Sequence, residues 1–222
     1  MSHVKKSLSI CIVSLVALSF AAPALAQAQT TARTNFQAGD FLVRLRGIDV
    51  IPENFSSSVS VVGGHVDATQ QFAPEVDLSY FLTNRFSLEV IAATTRHNVS
   101  AKGTVAGKID VGSVWVLPPT VTVQYHFPTI AGFTPYAGVG LTVAFFYDSH
   151  PAGGIVTKAG YSTAIGPTLD AGFDYSLGGN WYANIDVKQM FLNTTARLDG
   201  GAVVAKTALS PTVVGVGIGY RF

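Results

Sequence analysis

The sequence predicts an all-β fold, an eight-stranded antiparallel up-and-down transmembrane β-barrel, and three observations carry that prediction. Eight segments alternate apolar side chains with small or charged ones at period two, which marks strands with two unlike faces. The connections between them alternate long and short, as in a meander whose two ends face different compartments. Beyond the N-terminal leader no segment reaches the roughly 18 apolar residues of a membrane helix, so strands would have to make the crossing.

The leader comes first in the chain. Lys5 and Lys6 form a positive region, residues 8–20 are apolar, and Ala24-Leu25-Ala26 is a small-residue cleavage site. Residues 1–26 therefore read as a cleaved secretory signal, because the apolar run is short for an anchor helix and stops at Pro23. Fourteen Lys and Arg residues less Lys5 and Lys6 leave 12 against 13 acidic ones, a balance that excludes nucleic acid as a partner. Cys11, the only cysteine, lies inside the leader and serves neither a disulfide nor a lipid anchor. Residues 27–38 are polar and small, and read as a flexible N-terminal segment ahead of a barrel over 39–222.

The first strand sets Phe41, Val43 and Leu45 against Leu42, Arg44 and Arg46, and closes at Gly47. The second, 72–82, sets Val76, Leu78 and Tyr80 against Glu75, Asp77 and Ser79, then turns at Thr83-Asn84-Arg85 into the third, 86–97, where Ser87 and Glu89 share a face. The fourth strand, 120–127, and the fifth, 134–147, are joined by the short turn 128–132. In the sixth, Ile165, Leu169, Phe173 and Tyr175 oppose Thr168, Asp170, Gly172 and Asp174; Gly178-Gly179-Asn180 turns it into the seventh, 181–193. There Trp181, Ala183, Ile185 and Val187 oppose Asn184, Asp186 and Lys188, and the alternation blurs after Gln189. The eighth, 211–222, alternates Val214, Val216, Ile218, Tyr220 and Phe222 with Gly215, Gly217, Gly219 and Arg221. Residues 48–71, 98–118, 148–162 and 194–210 are left as long external loops.

Two further features separate a barrel from a soluble sandwich. The second faces mix glycine, alanine, serine and threonine with charges of both signs, Arg44, Arg46, Glu75, Asp77, Glu89, Asp170, Asp174, Asp186, Lys188 and Arg221. Inside a closed barrel of eight strands, small residues must make room for such an ionic network. Tyr80, Phe86, Phe127, Tyr175, Trp181, Tyr220 and Phe222 gather next to the short turns, as an interfacial aromatic girdle does. A charged lumen is either a path for polar solutes or a salt-bridged plug; the narrow diameter favours the plug, since each unpaired buried charge costs several kcal/mol.

At this point the chain resembles the OmpW family of Gram-negative outer-membrane proteins over its whole mature length. The resemblance is carried by Asp77-Leu-Ser-Tyr-Phe-Leu-Thr-Asn-Arg-Phe86, by Leu117-Pro-Pro-Thr-Val-Thr-Val-Gln-Tyr-His-Phe127, by Pro135-Tyr-Ala-Gly-Val-Gly140, by Trp181-Tyr-Ala-Asn-Ile-Asp-Val-Lys188 and by the closing Gly219-Tyr-Arg-Phe222. It departs at Ala93-Thr-Thr-Arg-His97, where the family pattern has a proline after the threonine. The resemblance implies location in the outer membrane, a narrow apolar cavity open to the outside, and binding or passage of small hydrophobic molecules. Phe222 with Tyr220 resembles the C-terminal signal read by the outer-membrane assembly machinery.

Candidate sites are few. The mature chain has no phosphate loop, zinc spacing or nucleophile elbow, and so calls for no cofactor or metal. His65, His97, His126 and His150 are scattered, and read as ordinary loop or lumen residues. His97 and Ser100 invite comparison with a lipid-modifying Ser/His enzyme, but neither an orienting acid nor an oxyanion site accompanies them. The sharper signal is apolar residues at the external end, where Ile48, Val50, Ile51 and Phe55 follow the first strand and Val114, Trp115, Val116 and Leu117 precede the fourth. They line a hydrophobic pocket or extend the lipid-facing surface, and the resemblance favours the pocket. The expected function is an outer-membrane barrel that takes small hydrophobic solutes into that pocket and releases them sideways to the membrane lipid. The alternative is a structural or receptor barrel acting through its external loops.

Overall fold

The computed structural model describes residues 35–222 except Ile155, and only the backbone of residues 54–57. The predicted signal (1–26) and most of the predicted flexible segment (27–38) lie outside the described residues. In chain order the strands are β1 (Phe41–Ile51), β2 (Asn54–Val59), β3 (His65–Ala68), β4 (Gln71–Phe81), β5 (Phe86–Ala93), β6 (Thr95–Thr104), β7 (Gly107–Leu117), β8 (Thr120–His126), β9 (Phe133–Pro151), β10 (Ala159–Tyr161), β11 (Ala164–Gly178), β12 (Trp181–Met190), β13 (Leu192–Leu198), β14 (Val203–Leu209) and β15 (Thr212–Arg221).

Eight of them close into a ring. The order β11-β12-β15-β1-β4-β5-β8-β9 is completed by pairing of β9 with β11, and all the ladders are antiparallel. Closure removes the sheet edges, which hydrocarbon requires because it offers no partner to a free backbone group. The faces fall as the alternation predicts. Val43, Leu45, Val76, Leu78, Val121, Val123, Ile185, Val187, Val216 and Ile218 are exposed on the outside, while the opposite face of each strand is buried.

The aromatic girdle is present at the short-turn end. Ring pairs run around it from Phe41 and Tyr80 (4.7 Å) through Phe86 and Tyr125 (5.2 Å) and Phe133 and Tyr175 (4.5 Å) to Trp181 and Tyr220 (5.0 Å). The lumen at the same end is stopped by another aromatic group. Phe36 is 3% exposed, stacks on Phe81 at 4.3 Å and packs against Tyr182 at 5.0 Å and His126 at 5.5 Å. The end of the segment expected to be flexible is thus docked in the periplasmic mouth, because an aromatic ring there leaves water for an apolar cluster with Leu42, Phe81 and Tyr182.

The segments expected to be long loops are mostly strand. Each prolongs two staves of the barrel outward: β6 with β7 and β13 with β14 as paired hairpins, and β2 with β3 and the end of β9 with β10 as strands that part into different sheets. Proline explains the misreading. Pro52, Pro118, Pro119 and Pro211 stand at breaks between consecutive strands, where the missing N–H interrupts a ladder without ending the stave. Above the ring the extension splits into two sheets. One continues as β9-β7-β6-β3 and the other is β10-β13-β14-β2; among the described residues no ladder joins β2 to β3 or β9 to β10. Val59, Val66, Val99, Val111, Val114, Ala196, Leu198 and Ala205 from both sheets form an apolar cluster between them.

Glycines on the inward face let backbone and long cations share the lumen. A Cβ on Gly217 would lie 2.8 Å from the Cα and Cγ of Arg46 and closer still to the Leu45 carbonyl oxygen. Gly217→Val is therefore expected to lower unfolding stability by about 1–3 kcal/mol in a denaturant titration of the membrane-embedded barrel. Val216→Leu on the lipid face should leave it unchanged, and equal midpoints for the two variants would contradict the close packing.

Candidate functional site

The lumen is built by strand register. Arg44 sits opposite Asp77 and Arg46 opposite Glu75 on β1 and β4, and Asp170 sits opposite Lys188 on β11 and β12. Arg44 Nη1 donates to both Asp77 carboxylate oxygens at 3.0 and 2.9 Å, and its Nε and Nη2 fork onto Asp174 at 2.9 and 2.8 Å. Arg46 Nη2 donates to Glu89 at 2.8 Å and also meets Asp77, while its Nη1 lies 2.8 Å from Asp186. Lys188 Nζ is 2.7 Å from Asp186, 3.2 Å from Glu89 and 3.3 Å from Asp170.

All the predicted ionic residues except Arg221 join this network. Arg221 lies apart at the periplasmic mouth, 3.1 Å from the Asn35 carbonyl and 3.2 Å from Asn180 Oδ1. Three neutral members were not counted in the network, although Gln124 and Asn184 were read on the second face. Tyr136 donates to Asp186 at 2.7 Å, Gln124 to Asp170 at 2.6 Å and Asn184 to Asp174 at 3.0 Å. Their inward parity was the available signal; a search for charges alone passed over it. Glu89, Asp170 and Asp186 bring carboxylate oxygens within 4.8 Å of one another, but the Lys188 ammonium already fills the position a metal ion would take. The network is a floor across the barrel, its charges wholly buried and mutually paired.

Above the floor every stave changes character on its inward face. Arg46 is followed by Ile48 and Val50, Glu89 by Ile91 and Ala93, Thr142 by Ala144 and Phe146, Lys188 by Met190 and Leu192, while Gly215 is preceded by Val213. These residues enclose an apolar cavity of about 100 Å³, with the floor below it and the two-sheet extension above. Among the described residues its titratable lining is Glu75, from the edge of the floor, His97 and Tyr161.

The predicted pocket residues divide by parity. Ile48 lines the cavity. Ile51 and Leu117 stand at odd positions outside it, Leu117 pairing with the exposed Phe145, and Trp115 stacks on Tyr147 at 6.3 Å on the outer surface. Val50, Val114 and Val116, from the same two apolar runs, line the cavity with Ile48. The side chain of Phe55 lies outside the described residues. Tyr220 and Phe222 face outward at the girdle, their rings 4.8 Å apart.

The histidines stay dispersed. His65 and His150 are exposed at the external end, and His126 is buried against Ser87 at 2.9 Å near the periplasmic mouth. His97 Nδ1 donates to the Thr69 carbonyl at 2.6 Å, which leaves Nε2 to accept from Thr95 Oγ1 at 2.8 Å. Ser100, three residues along the strand, lines an outer polar groove on the opposite face, so His97 and Ser100 do not meet.

The family model described as OmpW family matches residues 37–222. An uncharacterized outer-membrane protein, y4mB, of Sinorhizobium fredii is 36% identical over 81% of this chain and 79% of its own length. Outer membrane protein W of Vibrio cholerae is 32% identical over 96% of this chain and 99% of its own. Among solved structures, the outer membrane protein OprG from Pseudomonas aeruginosa superposes with a TM-score of 0.77 at 26% identity, covering 85% of this chain and 98% of that one.

Two measurements test the site's electrostatics. Arg44→Met leaves Asp77 and Asp174 buried without their guanidinium, and is expected to cost roughly 3–5 kcal/mol of unfolding free energy; a loss below 1 kcal/mol would show that the floor does not depend on the pair. Burial holds His97 below its ordinary pKa of 6.5, against a smaller opposing pull from the Thr69 carbonyl. The unfolded chain therefore binds the extra proton, so His97's contribution is intact above pH 6.5 and lost progressively below it. Amide exchange in β6, corrected for intrinsic rates, should quicken between pH 7.5 and 5, and His97→Gln should remove that dependence.

Proposed function

The chain belongs to the OmpW family, a barrel protein of the outer membrane, and on that premise we propose that it takes up small hydrophobic molecules through the cavity above its ionic floor. The observation that carries this reading is the stacking of an apolar cavity directly on a plugged lumen. An apolar solute entering from outside gains by leaving water, about 25 cal/mol per Å² of apolar surface buried. It gains nothing by crossing a layer of paired charges, whose separation would expose each partner unpaired. Its way onward is sideways, into the hydrocarbon that surrounds the barrel.

The break in backbone pairing supports a lateral route. A closed ring of ladders leaves a solute no gap, whereas among the described residues the extension has no ladder between β2 and β3 or between β9 and β10, beside the cavity. The prolines at the strand junctions act in the same direction, since each removes an N–H from the wall; Pro52, Pro118 and Pro211 line the cavity. We assign the terminal pair Tyr220 and Phe222 to recognition by the outer-membrane assembly machinery, on the strength of Phe222's exposure (71%) and its place at the end of the closing strand.

Ala144, fully buried in the cavity wall, offers the direct test. Ala144→Trp is expected to reduce uptake of an apolar probe such as octane several-fold in cells carrying the barrel, while heat-modifiable gel mobility shows the fold intact; undiminished uptake by the folded variant would reject the cavity route. For the terminal pair, Phe222→Ala is expected to lower the amount of barrel in the outer membrane without altering the stability of the fraction that inserts. Normal membrane levels would remove Phe222 from assembly.

A further inference from the structure

The external extension carries Arg96, Lys102, Lys108, Lys158, Arg197 and Lys206, and their surroundings differ. On the sheet that ends in β3, Lys102 pairs with Asp67, Lys108 lies 2.9 Å from Asp110, and Arg96 donates to Ser113 at 2.9 Å. Lys158 lies beside Asp199, whose carboxylate accepts from the Thr157 and Lys158 amides. Arg197 and Lys206 have no such neighbour: among the described residues neither side chain meets a carboxylate or makes a hydrogen bond. They share the outer face of the sheet β10-β13-β14-β2. On β13, Asn193, Thr195 and Arg197 turn outward while Leu192, Thr194, Ala196 and Leu198 are buried. Register sets Thr195, Lys206 and Ser58 in one row across β13, β14 and β2. Arg197, opposite Val204, is the diagonal neighbour of Lys206, on the order of 7–8 Å away between backbones.

Lys206 borders an outer groove of about 410 Å³ whose polar lining includes Ser58, Asn193 and Thr195. The acids of this flank are occupied, Asp199 as above and Glu53 by Thr212 at 3.1 Å. Beneath the groove the same stave turns Phe191 to the lipid, next to the exposed Ile165 of β11. From Phe191 to Thr195 the chain climbs about 13 Å along the strand, or roughly 10 Å along the membrane normal once barrel tilt is allowed for. The groove therefore opens just above the hydrocarbon, in the headgroup layer, where the outer leaflet of a Gram-negative outer membrane presents sugars that carry phosphate. We propose that this flank binds the phosphorylated sugar headgroup of an outer-leaflet glycolipid. Lys206 and Arg197 donate to the phosphate ester, and Ser58, Thr195 and Asn193 bond the sugar hydroxyls. Two cations without a competing acid, set among neutral hydrogen-bonding groups, complement a sugar phosphate; the flank whose charges already pair with one another does not. The groove lies on the outer side of the wall, so the proposal does not depend on what enters the cavity.

The test is native mass spectrometry of the folded barrel released from neutral-detergent micelles doped with rough-type lipopolysaccharide, or with the same glycolipid after enzymatic removal of its phosphates. We expect the phosphorylated form to bind on the order of tenfold more tightly, from charge-assisted hydrogen bonds to phosphate. Replacing both cations, Arg197→Gln with Lys206→Gln, should remove that advantage and leave binding of the dephosphorylated form as it was. Lys102→Gln with Lys108→Gln, on the opposite flank, should change neither. Heat-modifiable gel mobility reports folding of each variant; if the first pair does not fold, the comparison of Lys206→Gln, which should weaken binding, with Lys206→Arg, which should retain it, carries the test. Equal binding of the two glycolipids by the wild type, or equal losses from the two pairs of substitutions, would overturn the site. Displacement of the glycolipid by inorganic phosphate at equal concentration would overturn the lipid as its occupant and assign the cations to free phosphate.

Discussion

A barrel closed by eight strands has to fill its own interior, and any charge placed there has to find a partner. Those two requirements shape most of the molecule. Arg44 and Arg46 are long enough to reach across the lumen, to Asp174 and to Asp186, and their length demands that the strand beside them be thin. Gly215, Gly217 and Gly219 on β15 meet that demand in the register that faces β1. Gly172 does the same for Tyr136, whose hydroxyl a Cβ there would meet at 2.5 Å. The glycines of the inward face are thus the counterpart of the ionic floor, and the floor is what makes the barrel a plug.

The plug in turn defines what the rest of the barrel is for. With the lumen filled by the buried side chains of the floor and Phe36 packed in the periplasmic mouth, the part of the lumen left open is the external half. That half has no need of charge, and its inward side chains are apolar on stave after stave. The staves also outrun the closed ring. Their extensions form two sheets held face to face by valine, alanine and leucine, so the external end is supported by a small core of its own. The chamber lies between that core and the floor, walled by strands whose pairing lapses at two seams.

Much of this was legible in the sequence. Period-two alternation placed each barrel strand and its inward and outward faces, the aromatic residues marked the periplasmic interface, and the charges of the second face named nearly the whole ionic network. Arg221 was the exception, since position along its strand, which places it beside Asn180 at the mouth, matters as much as parity. The outer structure was harder to see. Proline in the middle of a stave looks like the end of a strand, and bulges near Val99 and Ser113 break the simple count by which inward and outward residues are told apart. Trp115 and Leu117 were drawn into the pocket by their hydrophobicity, yet a large apolar residue at the external end is equally at home facing lipid, as the stacked Trp115 and Tyr147 illustrate. Phe36 gave no signal, because a single aromatic in a polar stretch has no period to reveal its partner.

One mark of the cavity was present in the sequence and looked like noise. The alternation of the seventh strand fades after Gln189, which suggests a strand losing its two faces. The faces are in fact unbroken: Lys188, Met190, Leu192, Thr194 and Ala196 all point inward, and what changes is the medium they meet. Below, they meet paired charge; above, an apolar chamber. The fading of contrast between inward and outward residues is the cavity's lower boundary read along one stave. The same change occurs from Arg46 to Ile48 on β1 and from Glu89 to Ile91 on β5. Taken together these positions trace a ring, the level at which the packed charges of the floor give way to the apolar chamber.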